Sequence, residues 1–127
     1  MPYYILKSII EKQYNKSLDF LVQQHFYKSL GANLSTYNPL EKFNSKQLIP
    51  TEIDDYFRHD KIQGYVHDMG AAMQGGVGGH AGLFSNANDI AKLMQLYLQK
   101  GVYGGKRYFS SNTFNLFNTC YYCDQDN

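Results

Sequence analysis

The chain has 127 residues, which is enough for one small domain with a modest core. Its formal net charge is +1 and its basic residues are scattered singly, which excludes the basic stripe of a nucleic-acid-binding face. An apolar content of 43% excludes a disordered chain, and no apolar run reaches the ~18 residues that a membrane span needs.

The first predicted element is a pair of amphipathic helices over about residues 3–30. The first helix starts without a capping residue, which predicts that the natural chain extends further upstream. Ser17 is expected to cap the second helix, and Gly31 is expected to end it in the left-handed conformation. Both helices have an apolar face that needs a covering element. These faces are Ile5, Leu6, Ile9 and Ile10 in the first helix, and Leu18, Leu21, Val22 and Phe26 in the second.

Regular periodicity fades between about residues 32 and 84, so a long irregular loop is predicted there. Residues 47–52 read as extended, and residues 62–68 are compatible with a short strand or an extended loop. Five glycines lie between positions 75 and 82. A loop of about fifty residues is rare in a compact domain and is usually functional.

The clearest periodicity predicts a helix over about residues 86–100. Ser85 is expected to be its structural N-cap, and Lys100-Gly101 provides a typical end signal. The apolar spacing predicts one stripe that faces the core. That stripe consists of Ile90, Leu93, Met94 and Tyr97.

Beyond this helix, the pair Gly104-Gly105 marks a turn, and Ser110 or Ser111 is expected to cap a short helix over about residues 111–118. Cys120 and Cys123 then form a single C-x-x-C pair. Inert thiols or an incidental disulfide are favoured over a metal or redox role, since a structural zinc site needs two further ligands. Residues 124–127 are expected to fray.

His80 is the most suggestive residue for chemistry. Glycines on both sides would let a backbone approach a ligand closely, which favours a cleft-lining loop. The alternative is a tight structural turn with His80 hydrogen bonded inside it. His67 and Asp68 are adjacent and point apart, and a metal site shared with His59 and His80 matches no known ligand spacing. A hydrogen-bond network that ties down the long loop is favoured instead, and no metal or other cofactor is predicted.

A serine nucleophile needs an activating base nearby. None of the eight serines lies in a G-x-S-x-G elbow, and none is followed by lysine three residues later. The glycine run does not fit a dinucleotide-binding or phosphate-binding loop either. No catalytic residue is therefore predicted within this chain.

Two runs are similar to the β-lactamase-related serine hydrolases, which include class C β-lactamases, D-Ala-D-Ala carboxypeptidases and esterases. These runs are Gly64-Tyr65-Val66-His67-Asp68 with Ala71, and Gly79-His80-Ala81-Gly82-Leu83-Phe84-Ser85 with Ala87, Asp89 and Ile90. The helix pair and residues 49–52 with Arg58 also fit, in the version that some bacteria fuse to a family 3 glycoside hydrolase. The resemblance spans about Tyr3 to Phe117.

The family resemblance implies an α/β sandwich beside a helical subdomain. Residues 1–127 are then a partial domain, mainly α with long irregular loops, that supplies the helical part. Family members transfer acyl groups through S-x-x-K, Y-x-N and K/H-[ST]-G motifs, and all three are missing here. The glycine loop borders the cleft in such enzymes. The candidate cleft-lining residues are therefore Asp68, Gly79, His80, Ala81 and Gly82.

The resemblance predicts a fragment of a secreted serine hydrolase, periplasmic or extracellular, that acts on β-lactams, cell-wall peptides or esters and is inactive alone. Its expected partner is the missing remainder of the domain, and exposed apolar helix faces predict self-association. The alternative is a non-catalytic module that recognises cell-wall peptide or sugar through its tyrosine-rich glycine loop.

Overall fold

A computed structural model describes residues 2–123; the predicted fraying at 124–127 lies outside this range. Helices predominate beside two small sheets, which is compatible with a mainly α fragment. The helices are α1 Pro2–Tyr14, α2 Leu18–Val22, α3 Lys28–Leu30, α4 Met69–Met73, α5 Ala87–Leu98 and α6 Ser111–Asn118. A π-helical segment, Gln23–Tyr27, joins α2 to α3, and short 3-10 helices lie at Pro39–Glu41 and Ser45–Gln47. The antiparallel hairpins pair β1 Pro50–Asp54 with β2 Asp60–Gln63, and β3 Val102–Tyr103 with β4 Lys106–Arg107.

The turn between α1 and α2 is capped from the preceding helix. Ser17 occupies the N-cap position, but its side chain makes no capping hydrogen bond. The carboxylate of Glu11 accepts the bond from the Leu18 N–H instead, at 2.8 Å. The predicted end of the helix pair is confirmed, because Gly31 follows α3 with a φ of 70°.

The core lies where the α2–α3 helix meets α5 and the β3–β4 hairpin. Its buried residues are Tyr27, Leu30, Ala32 and Leu96, with Val22, Phe26, Leu93, Tyr103, Tyr108 and Phe109 packed around them.

The predicted core stripe of α5 is largely wrong. Ile90, Met94 and Tyr97 are exposed, whereas Leu96 is only 2% exposed. The reason is a buried carboxylate on the inner face of the helix. Asp89 accepts hydrogen bonds from the Leu34 N–H at 2.8 Å and from the Lys92 ammonium at 3.0 Å. These bonds turn the face of α5 that carries Asp89, Leu93 and Leu96 toward the core. The face that carries Ile90, Met94 and Tyr97 is left at the surface.

The predicted N-cap of α5 is also corrected. Asn86 is the cap, because its extended backbone directs the side chain to accept from the Asp89 N–H at 2.9 Å. Ser85 lies one residue too early, and its hydroxyl forms a 2.8 Å hydrogen bond with the Ser35 hydroxyl. At α6 the prediction is confirmed at Ser110, which accepts from the Thr113 N–H at 3.0 Å.

The segment between residues 32 and 84 is more ordered than predicted, because polar bonds fold it around the β1–β2 hairpin. The Arg58 guanidinium binds the Asp54 carboxylate at 2.8 Å and the backbone carbonyls of Val66 and His67 at 2.6 and 2.8 Å. Arg58, followed by the Phe57 backbone N–H, holds the pKa of Asp54 well below its usual range. The hairpin bulges between Pro50 and Glu52, so its side-chain alternation is irregular.

Several apolar side chains remain at the surface. Helix α1 has no buried residue, and Ile5, Leu6 and Ile9 are each more than half exposed. Cys120 and Cys123 are joined in a disulfide just after α6. Among the helices of residues 2–123, none has the length and hydropathy to cross a membrane.

Candidate functional site

Asp68 and His80 form the centre of the candidate site. The Nε2 atom of His80 lies 2.9 Å from the Asp68 carboxylate and 3.2 Å from the Tyr4 hydroxyl. A carboxylate only accepts hydrogen bonds, so Nε2 carries the proton and donates it to Asp68. This cluster joins three distant parts of the chain: the start of α1, the start of α4 and the glycine loop.

The N-terminus of α4 fixes one member of this cluster. Asp68 is the N-cap of α4, and its carboxylate accepts from the Ala71 N–H at 2.6 Å. That backbone bond, followed by the bond from His80, lowers the pKa of Asp68. The ionised carboxylate thus both starts the helix and orients the imidazole.

The first turn of α1 covers the glycine loop. The Tyr4 ring meets the His80 ring edge to face, with centroids 4.7 Å apart. The Lys7 ammonium donates to the Val77 carbonyl at 2.7 Å. At Gly79, a Cβ would lie 3.3 Å from the Tyr3 carbonyl oxygen, so a larger residue would push α1 away.

The far end of the glycine loop is held by a backbone crossing that only glycine permits. Gly82 has a φ of 107°, and a Cβ there would lie 2.2 Å from the Gly76 carbonyl oxygen. The Gly78 N–H donates to the Ala81 carbonyl at 3.0 Å and closes a tight turn around His80. The loop is therefore a rigid turn whose histidine side chain points to α1.

The structure brings some of the predicted site residues together and separates others. Asp68, Gly79 and His80 contact one another or α1, while Ala81 contributes its carbonyl to the turn. Gly82 lies at the far end of the loop against Gly76 and does not contact Asp68 or His80, and Ser85 is hydrogen bonded to Ser35 outside the site. His67 turns away from Asp68, and its Nδ1 atom lies 2.7 Å from the Glu52 carboxylate. Within residues 2–123 no group of three or more His, Cys, Asp or Glu side chains could hold a metal.

Sequence reasoning missed the tyrosines of α1. Tyr3 and Tyr4 carry no helical periodicity signal of their own, and their partner lies 76 residues away. The only available signal was two adjacent tyrosines in the first turn of the helix, ahead of its aliphatic stripe.

No described serine or threonine is paired with a lysine that could act as its base. Between positions 2 and 123, a lysine contacts a side-chain hydroxyl only where the Lys42 ammonium donates to Thr36 at 2.8 Å. Thr36 is 2% exposed and donates its own proton to the Tyr37 carbonyl. A charged ammonium that donates cannot act as a base for the hydroxyl. Thr36 and Lys42 are therefore not a nucleophile–base pair. Two other hydroxyls have a different kind of partner, with Tyr4 3.2 Å from His80 and Ser35 3.3 Å from Asp89.

A second concave feature lies at the C-terminal end of α4. This cleft has a volume of about 720 Å³ and lies between the β1–β2 hairpin, the end of α4 and the 3-10 helix at Pro39–Glu41. Its lining includes Asn38, Glu41, Arg58, Asp60, Ile62, Tyr65, Val66 and Gly75.

The chain is similar to curated bacterial proteins. It is 40% identical over 131 residues to a protein of Escherichia coli O157:H7 whose name assigns it provisionally as a D-alanyl-D-alanine carboxypeptidase. It is 41% identical over 127 residues to the N-acetylmuramyl-L-alanine amidase of Bacillus subtilis (strain 168). The matches cover 94% and 91% of this chain, but only 30% and 29% of the two relatives. No family model and no solved structure matches the chain.

Proposed function

We propose that this chain is part of a hydrolase that acts on the peptidoglycan of the bacterial cell wall, in the periplasm or outside the cell. The supporting observation is about 40% identity, across more than nine-tenths of the chain, to relatives whose names describe a D-alanyl-D-alanine carboxypeptidase and an N-acetylmuramyl-L-alanine amidase. Both named activities cleave amide bonds next to alanine, so the shared chemistry is amide hydrolysis.

The reaction type in this proposal is acyl transfer through a serine supplied from outside this chain. No described serine or threonine hydroxyl has a lysine that could act as its base, which supports a nucleophile located elsewhere. The relatives are more than three times as long as the matched segment, so they have room for such a group.

The role proposed for this chain is to build one wall of the catalytic cleft. Asp68, Gly79, His80, Ala81 and Gly82 would line that wall. The hydrogen bond from His80 to Asp68 and the edge-to-face contact with Tyr4 would fix the loop against α1. A wall held by a charged hydrogen bond and a tight turn is preorganised, which limits the entropy lost on substrate binding.

The remainder of the hydrolase is the proposed partner. It would cover the apolar surfaces that this chain leaves open, which lie on α1 and on the outer stripe of α5. Single exposed apolar residues are normal, but a contiguous helical face indicates an interface. The exposed residues are Ile5, Leu6 and Ile9 on α1, and Ile90, Met94 and Tyr97 on α5.

The test uses the full open reading frame that encodes this chain. Its product is incubated with a purified muropeptide, and released D-alanine and cleaved muramyl-L-alanine bonds are quantified by mass spectrometry. We expect one of the two cleavages, together with a covalent adduct with a fluorescent penicillin. The 127-residue chain alone is the control and should show neither.

Two outcomes would contradict the proposal. Hydrolysis of muropeptide or of nitrocefin by the 127-residue chain, abolished in a Ser85→Ala variant, would place the nucleophile inside it. A full-length product that leaves both amide bonds of the muropeptide intact and forms no penicillin adduct would contradict the proposal that the protein is such a hydrolase.

A further inference from the structure

The cleft beside α4 carries an inference beyond the hydrolase assignment. It shares no lining residue with the cluster of Asp68 and His80. Its volume of about 720 Å³ falls within the range of small-molecule sites, which is ~300–1,000 Å³. The cleft is open on one side, so it can accept one unit of a longer polymer.

The charge of the cleft excludes anionic ligands. Arg58 is the one cationic side chain in its lining, and the Asp54 and Glu52 carboxylates already bind it at 2.8 and 3.4 Å. Glu41 and Asp60 add two exposed carboxylates to the same lining. A phosphate or a peptide carboxylate would be repelled, whereas hydroxyl and amide N–H groups would find acceptors.

The floor and the rim of the cleft are suited to a sugar ring. Ile62 and Val66 are 4% and 8% exposed and form an apolar floor. Tyr65 also lines the cleft, and 61% of its surface is exposed. Tyrosine rings usually bury more of their area, so this ring is available to a ligand. An exposed aromatic ring can stack on the C–H face of a pyranose, and carboxylates above an apolar floor can accept its hydroxyl protons.

Asn38 and Gly75 form one wall of the cleft, and a hydrogen bond between them holds it in place. Asn38 has a φ of 42° and donates from its side-chain amide to the Gly75 carbonyl at 3.1 Å. Gly75 has a φ of 78°, with no atom within 4 Å of where a Cβ would lie. The Gly75 N–H is also paired, because it donates to the Ala72 carbonyl at 3.1 Å. This wall therefore contributes open space for a ligand rather than a free polar group.

We propose that this cleft binds an N-acetylated hexosamine unit of a glycan chain. The pyranose ring lies against Tyr65, and its hydroxyls donate to Glu41 and Asp60. The acetamido methyl group lies on the floor formed by Ile62 and Val66. The cleft includes Gly75 and Gly76 of the glycine loop but neither Asp68 nor His80, and binding there needs no catalytic group. The binding proposal can therefore fail without the hydrolase proposal failing.

The experiment is an NMR titration of the isotopically labelled 127-residue chain with tri-N-acetylchitotriose. We expect saturable shifts in the backbone amides of Gly64, Tyr65 and Gly75. Tyr65→Ala and Glu41→Gln should each weaken binding about fivefold or more, since each removes one direct contact. The matched controls are Tyr56→Ala and Asp55→Asn, which change exposed residues of the same types outside the cleft and should leave the affinity unchanged.

Three further probes separate the alternatives. Maltotriose, which lacks acetamido groups, should bind more weakly than the chitotriose, and inorganic phosphate should not bind. Cadaverine, a diamine that resembles a lysine side chain, tests whether the Glu41 and Asp60 carboxylates bind a cationic peptide side chain instead. Shifts with cadaverine but not with the trisaccharide would overturn the proposal, as would trisaccharide binding that Tyr65→Ala and Glu41→Gln leave unchanged.

Discussion

The Nε2 atom of His80 donates to the Asp68 carboxylate at 2.9 Å, although α4 and part of the glycine loop separate the two residues along the chain. Asp68 also caps α4, and His80 also meets Tyr4 of α1. One hydrogen bond therefore links the position of a loop to the positions of two helices. This relationship makes the candidate wall of the cleft sensitive to single substitutions.

Loss of the His80 side chain should loosen the glycine loop. His80→Ala removes the bond to Asp68 and the contact with Tyr4, so we expect amide hydrogen exchange in residues 77–82 to become about fivefold faster, as for the loss of one net hydrogen bond. Hydrogen exchange followed by NMR measures this. His59→Ala changes an exposed histidine of the β1–β2 turn and should leave the loop unaffected. Equal exchange rates in the two variants would show that the bond does not hold the loop.

Acid should destabilise the chain through Asp54. The Arg58 bond lowers the folded-state pKa of Asp54, so its stabilising contribution is present above the unfolded pKa of about 4 and is lost as the pH falls through the folded value. Asp54→Asn should be less stable than the natural chain at pH 7, and this gap should narrow below about pH 4. Urea unfolding at a series of pH values measures it, with Asp55→Asn as the control. A gap that stays constant with pH would contradict the assignment.

The two stripes of α5 should respond differently to truncation. Leu96→Ala removes a side chain that is 2% exposed and should lower the free energy of unfolding by ~2–5 kcal/mol. Met94→Ala changes a side chain that is 52% exposed and should cost no more than ~0.5 kcal/mol. Chemical denaturation of both variants tests which face of the helix meets the core. A larger effect at Met94 would show that the face predicted from periodicity is the one that meets the core.

The open face of α1 should make the isolated chain self-associate. Ile5 and Ile9 are 62% and 53% exposed, and water excluded from this face favours contact with a second copy. An Ile5→Lys/Ile9→Lys double variant should shift the mass measured by multi-angle light scattering toward the monomer. Ile53→Lys, at an exposed apolar position on β1, is the control and should not. A natural chain that is monomeric at high concentration would contradict this prediction.

Most of the longer helices could be predicted from the sequence. Apolar spacing marked the helix pair, the helix at residues 87–98 and the short helix at residues 111–118, because the amphipathic period is a property of the segment itself. Gly31 and Ser110 were predicted as helix-end residues for equally local reasons. The π-helical segment Gln23–Tyr27 and the Glu11 bond to the next helix carried no such signal.

The sequence by itself determined the approximate positions of α1, α2, α5 and α6, the need for glycine after α3, and that no serine is followed by lysine at the S-x-x-K spacing. Only the tertiary structure decided which of two apolar stripes of α5 is buried, because that choice depends on Asp89 finding the Leu34 N–H 55 residues away. The same holds for Tyr4 and His80, and for the cleft beside α4. Periodicity records the chemistry of one segment, whereas a site is made by groups whose separation along the chain says nothing about their distance in space.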